Sequence, residues 1–390
     1  MNLLFVHDIK ALVYENDVYA RSYGPNIWQR YLKVFDNITV CTRCHNADEK
    51  QVRGIDKVTG NSVFFDKRIG MFKGPDAFFS ERIRNILKDN IQKHDGVVIR
   101  LDSFLGLMAV RECKRIGKPY IIECVGCAWD SFWNHGLAGK ILAPFIFLMM
   151  KKAIKNAPFV IYVTKYFLQG RYPTNGLNTN ISNVALPKIE GHVLEERLER
   201  IKGKRSKQIH LMTLANVGVR YKGFQFVIQA LGFIKRQTGK CNYMYHIVGE
   251  GDQTYLRRQA RKADVFENII FHGPVKHEDV FNLLKQEVDI YIQPSLQEGL
   301  PRAMIEAMSC ALPCIGSDVA GIPELIQEDY VYKRSKNMPK QIADILEMYS
   351  AEKRISAAKY NFYNSKNYAS DLLEKRRTEF LNEYKNKLVQ

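Results

Sequence analysis

Two glutamates lie in a short segment, Gln293–Met308, whose residue types suit sugar and phosphate chemistry. Glu298 precedes a Gly-Leu-Pro sequence, and Glu306 lies inside a helix that we expect to begin near Pro301, because proline suits the first helical turn. A carboxylate can accept hydrogen bonds from two vicinal sugar hydroxyls, and a helix N-terminus offers unpaired N–H groups to a phosphate. The segment therefore predicts one site for a sugar and a phosphate. The alternative is that Glu306 is an ordinary surface residue of the helix.

Two cations precede this segment, in a loop between a predicted strand and a predicted helix. Arg220 and Lys222 lie in Ala215–Phe224, and an amphipathic pattern predicts the helix over Phe224–Ile234. Fixed cations at the end of a strand can neutralise a leaving diphosphate through charge-assisted hydrogen bonds. The chain has no Asp-x-Asp sequence, which would hold a divalent ion on such a group, so we expect no metal requirement. The alternative for the two cations is a plain basic turn.

Glycines follow two further predicted strands. Gly249 and Gly251 follow one of them, and Gly273 and Val275 follow the next. A glycine lets a ligand approach the backbone closely. The first of these turns lacks the third glycine of the dinucleotide-binding fingerprint, so it indicates a ligand contact without identifying the ligand.

Short apolar runs alternate with helical stretches along the chain, which is typical of an α/β protein with right-handed crossovers. The runs are apolar throughout, as in a parallel sheet covered on both faces. The polar segment 186–207 separates two series of strands, so we expect two Rossmann-like domains, 1–188 and 205–365, facing each other across a cleft. Ligands of such sheets bind at the carboxyl ends of the strands. The predicted strands are Leu3–Val6, Ile38–Cys41, Val63–Phe65, Val97–Arg100, Tyr120–Cys124, Val160–Val163, Ile209–Ala215, Tyr243–Val248, Ile269–Phe271, Ile290–Ile292 and Pro313–Gly316.

The composition is that of a globular chain, with 46% hydrophobic and 25% charged residues. An acid at position 8 interrupts any apolar leader, and the longest apolar run is too short to cross a bilayer. We therefore expect a cytoplasmic protein with reduced cysteines.

Two Cys-x-x-Cys pairs occur in the chain: Cys41 with Cys44, and Cys124 with Cys127. A structural zinc needs four ligands, so each pair would need the other pair, or His45 and His135. We expect unrelated buried thiols, because both pairs follow predicted strands; a zinc site and a redox pair are the alternatives.

The charge balance is basic, with 58 lysines and arginines against 41 acids and a net charge of +17. No acid occurs between Ser131 and Ile189. Within this stretch, residues 137–156 have an apolar centre flanked by lysines, which suits a helix lying on an anionic membrane surface. The alternative is a helix buried between the sheet and the C-terminal tail.

The second half of the chain resembles the family 4 retaining glycosyltransferases of the GT-B fold. The motifs that carry the resemblance are, in order, Lys222-Gly, Val248-Gly-Glu-Gly, Phe271-His-Gly, Pro294-Ser295, Glu298-Gly-Leu-Pro, the Glu298-x7-Glu306 pair and Gly321-Ile-Pro-Glu324. The resemblance implies that Glu298 contacts the transferred sugar and Glu306 the nucleotide ribose. It also implies that Arg220 and Lys222 hold the diphosphate.

The same resemblance implies the remaining donor contacts and the reaction. The donor contacts would be Gly299, Leu300, Pro301, Ser295, Gly249, Gly251, Gly273 and Val275. The enzyme would be a hexosyltransferase that moves a sugar from a nucleotide-diphosphate sugar, UDP more than GDP or ADP, to an acceptor hydroxyl with retention of configuration. The acceptor would be a glycan or a lipid-linked glycan of a bacterial surface polysaccharide, and the protein would be cytoplasmic or peripheral on the inner face of the membrane. The C-terminal helix, 366–390, would pack back on the first domain.

The first half departs from the family pattern. Members have a glycine-rich turn after the first strand, where this chain has a longer loop through Ser22-Tyr23-Gly24-Pro25 and a helix starting at Pro25. Many members also carry a histidine where this chain has Glu123-Cys-Val-Gly-Cys127. The acceptor-side candidates are therefore His7, Tyr23, Gly24, Glu123 and Asp130, although a lone histidine at a strand end is more often structural.

Two other functions fit part of the pattern. A nucleotide-sugar epimerase of similar fold would need acids and bases but no acceptor. A basic protein that binds a membrane or nucleic acid without catalysis would leave Glu298 and Glu306 without a task, so we do not expect nucleic acid as a partner.

Overall fold

The computed structural model describes residues 1–21, 23, 24, 26–72, 74, 76–134, 136–203 and 208–390. Ser22, Pro25 and His135, named above, lie outside these residues, as does residue 205, where the second domain is predicted to begin. The chain divides into two compact units: unit 1 is Met1–Ile181 with Leu373–Gln390, and unit 2 is Ser182–Leu372.

Unit 1 is built on a sheet of order β4-β3-β1-β5-β6-β7-β8, in which β2 pairs with β1. Every neighbouring pair is parallel except β1 with β2. Its strands are β1 (Asn2–Tyr14), β2 (Asp17–Tyr19), β3 (Asn37–Asn46), β4 (Val63–Asp66), β5 (Gly96–Leu101), β6 (Ile121–Cys124), β7 (Phe159–Tyr162) and β8 (Leu177–Asn180). Its helices from the first segment are α1 (Asn26–Leu32), α2 (Glu49–Val52), α3 (Asp76–Phe79), α4 (Glu81–Lys93), α5 (Phe104–Ile116), α6 (Ala128–Trp133), α7 (Gly136–Lys155) and α8 (Phe167–Arg171).

Unit 2 is built on a parallel sheet of order β11-β10-β9-β12-β13-β14. Its strands are β9 (Ile209–Leu214), β10 (Tyr243–Val248), β11 (Ile269–Gly273), β12 (Ile290–Gln293), β13 (Cys314–Ser317) and β14 (Val331–Tyr332). Its helices are α9 (His192–Gly203), α10 (Phe224–Thr238), α11 (Thr254–Lys262), α12 (His277–Gln286), α13 (Arg302–Ser309), α14 (Met338–Met348) and α15 (Ala351–Ser365).

The last helix, α16 (Ser370–Val389), completes unit 1. The Tyr384 hydroxyl lies 2.8 Å from the backbone N–H of Val97, which donates to it, and donates to the Pro119 carbonyl at 2.9 Å. The Phe159 ring packs edge-on against Phe380 and Tyr384. The end of the chain is therefore part of the core beneath β5 and β7.

The central strands of each unit are buried because they are apolar on both faces. All six residues of β5 and all four residues of β12 are buried. The eleven predicted strands are all present, which confirms the α/β class and the two parallel sheets. Three strands were missed, β2, β8 and β14, because they are short and β8 (Leu-Asn-Thr-Asn) has no buried residue.

The division between the units differs from the predicted linker at 186–207. Most of that segment is α9, an amphipathic helix of unit 2 whose Val193 and Leu194 pack with Ala311 and Phe362. Arg197 is buried in the same helix and donates hydrogen bonds to the carbonyls of Leu284 and Val288. The charged residues that suggested a linker are thus the exposed face of a packed helix, and unit 1 ends at Ile181 instead of 188.

The eight cysteines are unpaired thiols, of which seven are buried. Burial raises the pKa of the thiols of both Cys-x-x-Cys pairs, so they are poor nucleophiles. Across the residues that the structure describes, no group of three or more His, Cys, Asp or Glu side chains is placed to hold a metal ion. None of the described helices combines the length and apolarity needed to cross a membrane.

Candidate functional site

The start of α13, at the carboxyl end of β12, is open to a ligand. Pro301 occupies the N-cap position, and no side chain caps the helix. The carbonyl of Gly299 accepts a hydrogen bond from the Gly321 N–H at 2.9 Å, which fixes the preceding turn. Among the described residues, no protein group accepts from the N–H groups of Gly299 and Leu300. These donors, with the partial positive charge of the helix end, can bind an anion.

Glu298 is held beside this helix end by three donors that converge on one of its oxygens. Oε1 accepts from the Lys222 ammonium at 2.6 Å, the Ser295 hydroxyl at 2.7 Å and the Gln293 amide at 3.1 Å. In the part of the chain that the structure describes, Oε2 accepts from no donor. The side chain is 11% exposed. Glu298 is therefore oriented by the protein and keeps one oxygen for a ligand.

A buried polar chain fixes these donors. The Tyr291 hydroxyl donates to Gln293 Oε1 at 2.9 Å, and the Gln293 amide also contacts the Ser295 hydroxyl at 2.9 Å. Ser317 donates to the Ser295 carbonyl at 2.6 Å. Ser295 is fully buried, so the structure places it behind Glu298 and away from the surface where we expected a donor contact. Tyr291, Gln293 and Ser317 were missed, because their role depends on neighbouring strands.

The loop that carries the two cations is held against β12 by a glycine. Gly223 has φ of +82°, and a Cβ at this position would lie 1.8 Å from the Pro294 carbonyl oxygen. This close approach brings Lys222 to Glu298. Arg220 lies elsewhere in the loop, with its guanidinium 4.6 Å above the Tyr255 ring. The two cations therefore face different partners, and only Lys222 contacts the candidate catalytic carboxylate.

The glycine turn after β10 has a packing function of its own. A Cβ on Gly249, whose φ is +142°, would lie 1.8 Å from the Ala215 carbonyl oxygen, and one on Gly251 would lie 2.4 Å from the Gly218 nitrogen. The Gly249 N–H donates to the Gly273 carbonyl at 2.9 Å. These glycines thus bring three loops together at the carboxyl edge of the sheet. Val275 follows Gly273 on the same edge and is half-buried.

Glu306 lies one turn inside α13 and has a partner that the sequence did not indicate. Its Oε1 is 3.5 Å from Nε2 of His277, the first residue of α12. The Glu306 side chain is 12% exposed and the His277 side chain 62% exposed. Glu306 is therefore a largely buried carboxylate next to an accessible imidazole, which differs from the ordinary surface residue given as the alternative. The Phe271-His-Gly motif four residues earlier is the pattern that could have pointed to His277.

Unit 1 has a pocket of about 460 Å³ at the carboxyl edge of its sheet. Its lining includes the polar side chains of His7, Asp8, Arg43 and Asp102 and the rings of Phe104 and Phe132. Asp8 caps α5, because its carboxylate accepts from the N–H groups of Phe104 at 2.7 Å and Leu105 at 3.0 Å. Of the five acceptor-side candidates, the structure places only His7 in this lining; Asp8, Arg43 and Asp102 were missed.

His7 is a neutral imidazole at the wall of this pocket. Burial, together with the nearby Arg100 and Arg43 charges, lowers its pKa to about 3. Its Nδ1 lies 3.1 Å from the Tyr23 hydroxyl, which accepts from Arg100 at 2.7 Å. The pKa values of the two aspartates in the pocket shift in the opposite direction, because burial raises the pKa of both Asp8 and Asp102.

The other acceptor-side candidates lie behind this wall. Glu123 is buried, and Oε2 accepts two hydrogen bonds from Arg100, at 2.9 and 2.6 Å, while Oε1 accepts from Tyr31 at 2.5 Å. Gly24 accepts from the Ile27 N–H and so begins α1. Asp130 is a buried residue of α6. We therefore correct the assignment of Glu123, which is a structural carboxylate with both oxygens engaged.

The segment 137–156 forms α7, which is buried along one face and exposed along the other. Its small and apolar residues Gly139, Ala143, Ile146, Met150, Ala153 and Ile154 are buried. Its exposed face carries Leu137, Ile141, Phe145, Leu148 and Met149. Because one face is exposed, α7 differs from the alternative of a helix buried between the sheet and the C-terminal tail.

The fold and the site identify the class of protein. Residues 195–362 match the family model of glycosyl transferases group 1. The chain is 34% identical over 337 residues to protein CapJ from Staphylococcus aureus, which covers 85% of this chain and 83% of that relative. The chain therefore belongs to glycosyl transferases group 1 and is a glycosyltransferase, which confirms the resemblance found in the sequence.

Further matches cover either part of the chain or its fold. The chain is 35% identical over 115 residues to AmsK, the amylovoran biosynthesis glycosyltransferase of Erwinia amylovora, over 28% of each chain. The structure of HepE from Anabaena in complex with UDP aligns with a TM-score of 0.65 at 13% identity, over 98% of this chain and 100% of that one. This likeness confirms the GT-B fold.

Proposed function

We propose that the protein transfers a sugar from a UDP-sugar to an acceptor hydroxyl with retention of the anomeric configuration. The observation that carries the proposal is Glu298, which has one oxygen fixed by three donors and the other unengaged, beside the uncapped start of α13. A carboxylate and an anion site this close together suit a sugar joined to a diphosphate. We assign Glu298 to the hydroxyls of the transferred sugar.

The leaving diphosphate is stabilised by groups of unit 2. The N–H groups of Gly299 and Leu300 bind it, and Lys222, fixed by Glu298, supplies positive charge beside them. Arg220 closes on the phosphates from its position on Tyr255. Because fixed dipoles and cations neutralise the charge that develops on the leaving group, the reaction requires no metal ion. Glu306 and His277 bind the ribose hydroxyls.

The acceptor hydroxyl is positioned by the pocket of unit 1. A histidine with a pKa of about 3 is too weak a base to take the proton of a sugar hydroxyl at neutral pH, so His7 orients the hydroxyl by a hydrogen bond. The leaving diphosphate takes the proton, on the same face of the sugar that the acceptor attacks. Phe104 and Phe132 offer apolar surfaces to the faces of an acceptor sugar ring.

The donor base and the acceptor class are proposed from related proteins. HepE is described in complex with UDP, and AmsK is named for the biosynthesis of amylovoran. We assign this chain to bacterial surface polysaccharide or lipid-linked glycan synthesis, with UDP as the nucleotide of the donor.

The exposed apolar face of α7 favours peripheral attachment of the protein to the inner face of the cytoplasmic membrane. Leu137, Ile141 and Leu148 are 81%, 68% and 61% exposed, and lysines flank them. Such a face binds an anionic interface by burying apolar area and by charge attraction. Liposome flotation of the wild type and of a variant with serine at these three positions tests this attachment. Equal flotation of the two proteins would exclude this face of α7 as the site of membrane attachment.

A thermal-shift panel of UDP, GDP, ADP and their sugars tests the donor site. A nucleotide at about 100 times its dissociation constant stabilises the protein by about 2.7 kcal/mol, a readily measured shift. We expect UDP and a UDP-sugar to stabilise the wild type with or without EDTA. The Glu306→Ala variant should lose the shift, while Glu278→Ala, which removes an exposed acid of α12, should keep it.

A transfer assay with candidate lipid-linked and soluble glycans then tests the reaction. We expect the UDP-sugar to be consumed only when an acceptor is present, and the product to keep the anomeric configuration of the donor. Conversion of the UDP-sugar to its epimer without an acceptor would replace the proposal by the epimerase alternative. Stabilisation by GDP or ADP alone would overturn the UDP assignment.

A further inference from the structure

Unit 1 has a second cavity, which shares no lining residue with the acceptor pocket and which the reaction does not use. The two adjoin where the Phe78 ring packs edge-on against Phe104. It is a groove of about 390 Å³ over α5, with α4 on one side and α7 on the other. We call it the α5–α7 groove. Its apolar lining consists of Phe78, Leu107, Met108, Val110, Met149 and Ala153.

The rim of the α5–α7 groove is basic. It carries Arg84, Arg111, Lys114 and Lys152. The one acid in the lining, Glu112, is buried and paired with Arg115 at 2.6 Å. Within the described chain, no carboxylate lies within salt-bridge distance of Arg111, Lys114 or Lys152. The groove therefore presents an apolar floor below a cluster of positive charge.

Two of these cations line the same groove from different helices, Lys114 from α5 and Lys152 from α7. Burial lowers the pKa of Lys114, and the charge of Lys152 contributes to the same shift. An anion bound between two like charges relieves their repulsion. The side of the groove formed by α7 is continuous with the exposed apolar face of that helix, because Met149 belongs to both.

We propose that the α5–α7 groove binds one anionic phospholipid, with an acyl chain on the apolar floor and the headgroup phosphate between Lys114 and Lys152. The basic rim favours a phosphate group as ligand. The apolar floor favours a phosphate that carries an acyl chain over a soluble phosphate ester. The continuity with α7 gives a lipid a path into the groove from a membrane surface. This site is independent of the proposed transfer reaction.

The test uses a lipid that binds as a single molecule, so that a site is distinguished from a charged surface. Titration calorimetry with dioctanoylphosphatidylglycerol below its micelle concentration should show saturable binding of one lipid per chain. The Lys114→Ala/Lys152→Ala variant should bind it about thirtyfold more weakly, since each lysine near a headgroup contributes separately. The matched control is Lys151→Ala/Lys155→Ala, which removes the same charge from exposed positions of α7 outside the groove lining. It should bind within about twofold of the wild type.

Three results would overturn the proposal. Wild-type protein that binds no monomeric lipid has no such site. Equal weakening of the two double variants would show that overall charge, and no groove, attracts the lipid. Glycerophosphate that displaces the lipid at equal concentration would show an anion site without a chain. As a second readout, a diazirine on the acyl chain should cross-link to peptides containing Leu107 or Met149, and labelling elsewhere would contradict the assignment.

Discussion

Glu123 and Glu298 are both paired with a cation, yet the protein uses them in opposite ways. In unit 1, Arg100 and Tyr31 engage both oxygens of Glu123, and Arg377 from α16 lies 3.7 Å away. In unit 2, all three donors converge on one oxygen of Glu298. A carboxylate with both oxygens engaged inside the protein is structural, whereas one that is fixed through a single oxygen is prepared for a ligand.

A similar contrast separates the start of α5 in unit 1 from the start of α13 in unit 2. At the start of α5, Asp8 accepts from two backbone N–H groups and Ser103 from a third. At the start of α13, no side chain caps the helix. The start of α5 is thus satisfied by the protein's own carboxylate, whereas the start of α13 keeps N–H groups that can bind an anion.

The largest effect that this comparison predicts is on stability, at Glu123. The Glu123→Gln substitution leaves the Arg100 charge buried without a counter-ion and should lower the free energy of unfolding by about 3 kcal/mol or more. Urea unfolding followed by circular dichroism measures it. Glu298→Gln, in the same experiment, should cost markedly less because its site is partly exposed. Equal losses would break the distinction between the two carboxylates.

The effect at Glu123 should depend on pH in a defined direction. Burial alone would raise the pKa of Glu123, but Arg100 and Arg377 lower it below its usual range. The stabilisation is therefore complete above the unfolded pKa of about 4.3 and is lost as the pH falls through the lower folded pKa. The difference in stability between the wild type and Glu123→Gln should shrink below about pH 4, and a difference that grows there would contradict the assigned cause.

The second effect is on catalysis, at Glu298. The Glu298→Gln variant keeps the side-chain shape but loses the negative charge. That charge fixes Lys222 and strengthens the hydrogen bonds that the carboxylate accepts from the sugar hydroxyls. We expect kcat/KM for transfer to fall by about 100-fold or more, with folding intact. Glu123→Gln, assayed at a temperature where it is folded, should retain most of its activity. Activity within a few-fold of the wild type in Glu298→Gln would remove Glu298 from the catalytic set.

A smaller effect is expected at His277, whose imidazole is next to Glu306. Removal of one hydrogen-bonding partner of the ribose site should weaken UDP binding by about fivefold in His277→Ala. The control is His192→Ala, which removes the histidine of another exposed His–Glu pair, 3.4 Å from Glu190. Calorimetric titration with UDP separates the two, and equal affinities would exclude His277 from the donor site.

The smallest effect is expected from chelation. Because the uncapped helix end and the cations neutralise the diphosphate, EDTA should change the transfer rate by less than about twofold. Added Mg²⁺ that restores a rate lost in EDTA would show that these groups are insufficient.

The sequence predicted the strands and the donor-side motifs because both are local. β5 contains the apolar run Val97–Ile99 and β12 the apolar run Ile290–Ile292, and the order of the glycine and glutamate motifs can be read from the sequence alone. What the sequence did not predict depends on contacts between distant residues. Gln293 and Ser317 hold the segment around Glu298 across neighbouring strands, and His277 reaches Glu306 from another helix.

Unit 1 was less predictable for a related reason. From the sequence alone, Glu123 cannot be distinguished from a catalytic acid. Its structural role is evident only from the fold, in which β5 and α16 place Arg100 and Arg377 beside it. Asp8 was passed over as an interruption of an apolar stretch, although it caps α5 from 96 residues away. A carboxylate's role is decided by what neutralises it, and that partner is seldom its neighbour in the sequence.

The position of α16 has a consequence for the order in which the molecule is made. The first segment of unit 1 precedes unit 2 in the chain, but unit 1 is completed by Arg377, Phe380 and Tyr384, which leave the ribosome after unit 2. Unit 2, by contrast, is contiguous and can fold as soon as residue 372 has emerged. Most of unit 1 is therefore synthesised before unit 2 but is completed after it. Until α16 has emerged, the backbone N–H of Val97 lacks the Tyr384 hydroxyl that accepts from it. A ribosome stalled before residue 373 should carry a protease-resistant unit 2 and a protease-sensitive unit 1.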